Sequence, residues 1–202
     1  VEFNQDRGFG ITVYRGQRRG SASTSDSRPE AIAETVRAAL NIANYTQEDE
    51  FAGLADPERM ASDLPDLDLF HPWSVDADQA RDMAIACEAA GLEYDKRVVN
   101  SDGAAVSTGQ MCRVYGNSHG FIGGYLGTRH SMSCMLIGED NGGMQRDYWY
   151  TVSRDAQALE DAVSVGRTAG ERTVRRLSPQ SLATGTMPVI FSPQMAMGLM
   201  GH

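Results

Sequence analysis

The chain of 202 residues has no stretch approaching the roughly 18 consecutive apolar residues of a membrane span. No basic-then-apolar leader opens it, so no targeting signal is read from it. Positive charge is in short supply: 18 Lys and Arg stand against 27 Asp and Glu, a net charge of −9. A nucleic-acid binder needs a basic face to neutralise phosphates, and this balance argues against one. Arg167, Arg172, Arg175 and Arg176 do cluster, but on a helical pattern with Glu160, Asp161 and Glu171, which reads as a solvated helix face. Cysteine is scarce. Cys87, Cys112 and Cys134 lie far apart in apolar patterns. That fits neither a zinc ribbon nor a disulfide framework, and predicts buried free thiols in a reducing cytoplasm. Also missing are a Gly-Lys-Ser or Gly-Lys-Thr phosphate loop and a His-x-x-x-His helix pair.

What remains is a chain with 41% apolar residues, enough to bury one real core or two small ones. It begins at Val1-Glu2-Phe3, without Met and almost directly in a strand. It stops at Gly198-Leu199-Met200-Gly201-His202, inside an apolar helix-like run. The expectation is a piece of a longer protein.

Period-two alternation of Phe9, Ile11 and Val13 against Thr12 and Tyr14 predicts a strand over 8–15, turned at Gly16-Gln17 into a partner over 18–24. Ser27, Pro29 and Glu30 read as a capping box and helix start. Ile32, Val36, Ala39, Leu40 and Ala43 then mark the packed face. From Thr46 to Trp73 the pattern is lost among acidic residues and prolines, save for a short helix at 57–61. Ser74 predicts a second helix over 75–90, ended by Gly91. Asn100-Ser101-Asp102-Gly103 and Asn117-Ser118-His119-Gly120 repeat a turn phrase 17 residues apart, which suggests successive hairpins of one antiparallel sheet. Two long strands within 114–151, joined at 139–143, continue it. Their glycines Gly120, Gly123, Gly124 and Gly127 weaken a strand or admit a close backbone or ligand. A helix in full from about residue 159 carries Val163, Gly166, Gly170, Val174 and Leu177 on one face, and Ser178-Pro179 ends it. Met187 to Phe191 reads as a short buried strand, followed by a last helix from Ser192-Pro193. The fold class is α+β: a β-hairpin plus helix unit, then an antiparallel β-meander flanked by helices. The expected domains are 1–70, 71–185 and 186–202, the last a beginning only.

Few residues here suggest chemistry. His119 sits in a turn and His130 in the following strand, with Glu139, Asp140 and Asp147 near in sequence. A structural turn histidine and a structural strand histidine are favoured over a two-histidine site. Asp66-Leu67-Asp68, followed by His71, reads as a solvated or capping loop rather than a metal site. Ser118 and His119 are adjacent, so their side chains diverge and make no nucleophile–base pair. Tyr148-Trp149-Tyr150 alternates as core plus one exposed face. From the residues alone this is an α+β chain with no self-sufficient active site.

Several phrases, in order along nearly the whole chain, resemble the PmbA (TldE) branch of the TldD/PmbA family. They are Gly10-Ile11-Thr12-Val13-Tyr14, Gly20-Ser21-Ala22-Ser23, the run from Pro65 to Pro72, Gly116-Asn117-Ser118-His119-Gly120, Thr128-Arg129-His130-Ser131, and Arg146-Asp147-Tyr148 with Tyr150-Thr151. The resemblance implies a cytosolic, metal-dependent peptidase built as a heterodimer of TldD-like and PmbA-like subunits, each more than twice this length. It implies action on unfolded or small peptides, including antitoxin degradation and maturation of a microcin-type peptide. The family's His-Glu-x-x-x-His zinc motif lies on a helix of the TldD partner, where its Glu suits general-base work. By resemblance, that helix corresponds to Met197-Gly198-Leu199-Met200-Gly201-His202. Only His202 matches. Met197 and Gly198 replace the first His and the Glu; Met is a poor zinc ligand and Gly carries no base. The resemblance therefore implies a non-metal subunit, with zinc on its partner and no catalytic or metal residue in this chain. His202, His119 and His130 remain the weak candidates. The competing expectations are a non-catalytic peptide-binding or scaffold module working by strand addition, and an independent metalloenzyme using His119 and His130.

Overall fold

The computed structural model describes residues 1–201. β1 (Phe9–Arg15) and β2 (Arg18–Thr24) form an antiparallel hairpin, and Arg15 pairs with Arg18 across a two-residue turn. Gly16 takes the first turn position at φ 59°, where a side chain would be strained. α1 (Pro29–Tyr45) packs on this hairpin. Ile11 and Val13 pair with Ala22 and Gly20, so all four face α1, while Thr12 and Ser21 join hydroxyls at 3.0 Å on the other face. Gly20 sets the approach. A Cβ there would lie 2.0 Å from the Ala39 carbonyl oxygen and 2.5 Å from the Ala43 nitrogen.

Two expectations for α1 are corrected. Proline disfavours helical backbone in the residue before it, so Arg28, at φ −67° and ψ 140°, becomes the N-cap, with no side-chain cap bond. Ser27 falls one residue too early for the capping box. Asp26 instead accepts from the Arg28 amide at 2.9 Å. The packed stripe is Thr35, Ala39 and Ala43, while Val36 and Leu40 are exposed. Small residues win the inner face because the helix lies so close to the hairpin.

α2 (Ala77–Leu92) precedes a three-stranded sheet in the order β3 (Val98–Gly116), β4 (Ile122–Asp140), β5 (Gly143–Ser153). The fold is α+β, a hairpin plus an antiparallel three-stranded meander. β3 is one strand of 19 residues, so the first Asn-Ser-x-Gly copy makes no hairpin. Gly103 bends the strand locally at φ 111°, its amide donating to the Ser101 hydroxyl at 2.8 Å. Only the second copy reverses the chain. The β4–β5 turn has Asn141 and Gly142 at φ 50° and 76°, the signature of a two-residue hairpin with both centres left-handed.

α3 (Ala162–Arg175) starts later than its hydrophobic pattern, after a 3₁₀ turn at Ala156–Ala158. Asp161 caps it by accepting from the Ser164 amide at 3.0 Å. Its buried face is Val165, Gly166, Ala169, Gly170 and Thr173; Val163 is exposed. α4 (Pro193–Met200) closes the described chain. Residues 187–191 form no strand: they have no partner among the described residues, and Ile190 is 97% exposed.

Two compact units emerge. One gathers residues Val1–Asp78, Thr108–His130 and Arg154–Gln157; the other gathers Gln79–Ser107, Ser131–Ser153 and Ala158–His202. The core of the second is Cys87, Val98, Met132, Cys134, Leu136, Val165 and Ala169. Gly91 does not stop α2 but packs within it. A Cβ on Gly166 would sit 1.9 Å from the Cys87 carbonyl oxygen, and one on Gly91 would sit 2.9 Å from that of Gly166. Among the arginines read as solvated, Arg172 and Arg176 instead pair with buried Asp147 at 3.5 and 3.7 Å. The Arg172 guanidinium also lies 5.3 Å from the Trp149 ring, which helps orient α3 on β5. No helix among the described residues is long and apolar enough to cross a membrane.

Candidate functional site

The first unit contains a cleft of about 1150 Å³ between β1 and the hairpin tip that joins β3 to β4. The tip is built by local hydrogen bonds. Asn117 donates its amide to the Phe121 carbonyl at 3.0 Å, and Gly120 donates to the Asn117 carbonyl at 3.1 Å, with Gly120 at φ 86°. The Asn117 side chain accepts from the His119 amide at 3.0 Å and donates to the Tyr115 hydroxyl at 3.3 Å. Tyr115 and Phe121 pack with ring centroids 5.9 Å apart. His119 is exposed and lines this cleft. None of the 17 lining residues is Asp, Glu, Lys or Arg, in a chain where such residues make up 22%.

His130 is placed differently. It is fully buried. Its Nε2 lies 2.8 Å from the His71 carbonyl oxygen and its Nδ1 lies 2.8 Å from the Thr108 hydroxyl. A carbonyl can only accept, so Nε2 carries a proton and donates it to His71, while the Thr108 hydroxyl pairs with Nδ1. Trp73 meets the ring edge-on at 5.5 Å. Thr128 completes the attachment: its amide donates to the Leu69 carbonyl at 2.9 Å, and its hydroxyl donates to the Arg154 carbonyl at 2.7 Å and accepts from the His71 amide at 3.0 Å. Together His130 and Thr128 fasten the proline-rich segment to β4. This pattern has no short-range sequence signal, because its partners lie about sixty positions apart.

These donors do not suit a zinc ion. Both nitrogens of His130 are occupied, and His71 Nε2 is 3.0 Å from the Asp68 carbonyl oxygen. The Asp66 carboxylate accepts from the Asp68 amide at 2.9 Å, which makes that acidic pair a local turn. Among the described residues no group of three or more His, Cys, Asp or Glu is gathered to hold a metal. His202 lies outside the described residues. Cys112 is exposed, contrary to the expectation of three buried thiols; Cys87 and Cys134 are buried. The Cys134 thiol is pushed up by its hydrogen bond with Cys87 and by burial, which keeps it neutral and a poor nucleophile. The glycines of β4 admit this chain's own atoms. A Cβ on Gly124 would sit 2.6 Å from the Arg113 carbonyl oxygen, and one on Gly123 would sit 3.0 Å from a Leu64 methyl.

Fold and site define an α+β protein with an uncharged cleft beside β1. Residues 70–177 match the family model of the PmbA/TldA metallopeptidase central domain, and residues 1–43 match that of PmbA/TldA metallopeptidase domain 1. The chain belongs to the PmbA/TldD family. All 202 residues align at 50% identity with metalloprotease PmbA of Escherichia coli O157:H7, and at 45% with the PmbA homolog of Haemophilus influenzae. The chain spans 45% of the length of each of these curated relatives. A crystal structure from Bacteroides thetaiotaomicron, described as a candidate modulator of DNA gyrase, superposes with a TM-score of 0.77 at 26% identity. The match covers 87% of this chain and 40% of that one. TldE from Thermococcus kodakarensis shares the fold at a TM-score of 0.59 and 18% identity, over 84% of this chain and 42% of that one.

Proposed function

We propose that this chain belongs to the non-metal subunit of a heterodimeric zinc metallopeptidase, whose TldD-like partner carries the zinc. The observation that carries this reading is the 50% identity, without a break in coverage, to a protein named metalloprotease PmbA. Met197 and Gly198 standing where the resemblance would place a zinc-binding His and a general-base Glu support the division of labour. The subunit's role is to complete the cytoplasmic heterodimer and help enclose unfolded or small peptides, of which antitoxins and microcin-type precursors are examples. Chemistry on the scissile bond belongs to the partner; this chain's residues bind and confine.

The test is reconstitution. The protein at the length of its relatives is co-expressed with a TldD-like subunit, and the purified pair is assayed on an unfolded peptide. Cleavage by the pair, and by neither subunit alone, is the expected outcome. A pair that assembles and cleaves nothing would leave only a scaffold role and overturn the proposal.

A further inference from the structure

Two of the three cysteines share the core of the second unit. Cys87 on α2 is 0% exposed and Cys134 on β4 is 1% exposed. The packing of helix on strand sets them opposite each other. Gly91 of α2 lies over Leu136 of β4, since a Cβ on Gly91 would sit 2.6 Å from a Leu136 methyl. Cys87 is one helical turn before Gly91, about 6 Å along α2. Cys134 is two residues before Leu136, on the same buried face of β4 and about 7 Å along it. Helix and strand thus step back together from one contact to the next, and at that next contact the two thiols hydrogen-bond. Cys134 donates and Cys87 accepts. The bond holds Cys87 below the ordinary thiol range and, with burial, pushes Cys134 up.

We infer that Cys87 and Cys134 are a peroxide-responsive dithiol, which closes to a disulfide that locks α2 onto β4. The Cys87 sulfur, as thiolate, attacks one oxygen of hydrogen peroxide. The O–O bond breaks, hydroxide leaves and takes up the proton that Cys87 released, and Cys87 becomes a sulfenic acid. The Cys134 sulfur then attacks the electrophilic Cys87 sulfur. The S–S bond forms, the S–O bond breaks, and the hydroxyl leaves with the Cys134 proton as water. Two thiols are oxidised to one disulfide, and one peroxide is reduced to two waters. Three features select this chemistry. The resolving thiol already touches the oxidised one, so the sulfenic acid condenses before it is oxidised further. The residues around the pair are apolar, Val98, Met132, Leu136 and Val165 among them, and no third metal donor joins it among the described residues. Burial admits an oxidant of water's size during local opening but shuts out a bulky reductant such as glutathione, so the bond persists while the chain is folded. Cys112 is exposed and takes no part. The inference stands apart from the metallopeptidase reading, because thiol state is measured without cleavage and either can fail alone.

The test uses the 202-residue chain carrying Cys112→Ser, so that the exposed thiol cannot scramble the result. The folded protein is treated with hydrogen peroxide, unfolded without reductant, alkylated, digested and mapped by mass spectrometry. The expected product is one intrachain link between the Cys87 and Cys134 peptides, with both free thiols lost together. Adding Cys134→Ser should leave Cys87 as a sulfenic acid that dimedone traps, a species the intact pair does not accumulate. Were that variant to unfold, the map of the chain with both cysteines decides. The oxidised chain should show a higher urea midpoint, because the cross-link restricts the unfolded state. It should keep its link in glutathione while folded and lose it once unfolded. Two thiols that still alkylate after peroxide, a sulfinic acid on Cys87 in place of the link, or a link between chains overturns the inference. An unchanged or lower midpoint overturns the lock, and reduction of the folded chain by glutathione overturns the shielding.

Discussion

His130 shows how much one buried side chain can hold. It satisfies the Thr108 hydroxyl and the His71 carbonyl and packs against Trp73. His130→Ala opens a cavity and leaves both partners unpaired, at a cost of about 2–4 kcal/mol. His119→Ala removes only an exposed side chain and should stay within about 0.5 kcal/mol of the parent. Urea unfolding of the two variants checks this; equal losses would contradict the assignment of His130 as the anchor. Asp161 gives a pH-dependent counterpart. Its carboxyl is held below the usual carboxylate range by the Ser164 hydroxyl at 2.6 Å and then by the Ser164 amide. A lowered folded value means that the stabilisation is complete above the unfolded carboxylate value and is lost as pH falls through the folded one. Asp161→Ala should therefore melt below the parent at neutral pH, and the gap should close under acid. A gap that widens in acid would contradict the cap.

At the scale of elements, close approach is the recurring device. α1 lies on Gly20, and α2 meets α3 at Gly91, Gly166 and Gly170. Gly166→Ala would put a methyl group against the Cys87 carbonyl and push the helices apart, at a cost near the upper end of about 1–3 kcal/mol. Gly8→Ala meets nothing within 4 Å and should be neutral. Denaturation midpoints of the two variants, with unchanged slopes, are the measurement. Strands and helices were legible from period and breakers: β1, β2, α4 and the β4–β5 turn fall where alternation, Pro193 and Asn141-Gly142 put them. Helix faces were less so. Apolar residues mark a stripe only when size does not matter. On α1 the tight contact selected Thr35, Ala39 and Ala43 over Val36 and Leu40. The Asn100–Gly103 phrase misled because its side-chain bonds bend a strand as readily as they close a turn. The attachment of His71 to His130 was illegible, since no local pattern encodes a contact across 59 positions.

At the scale of the molecule, the sequence reveals kinship more sharply than chemistry. Its family phrases include those in β1, in the proline-rich segment, around the hairpin tip and at Thr128–Ser131 of β4. In the structure those stretches supply the cleft walls and the His130 anchor, with no cluster of metal donors among the described residues. The proposed function puts the metal on the partner. Zinc content by mass spectrometry, measured on the protein at the length of its relatives alone and on its purified complex with a TldD-like subunit, tests this most directly. No stoichiometric zinc is expected on the lone subunit, and about one per heterodimer. Stoichiometric zinc on the lone subunit, lost on replacing His119 and His130, would contradict it.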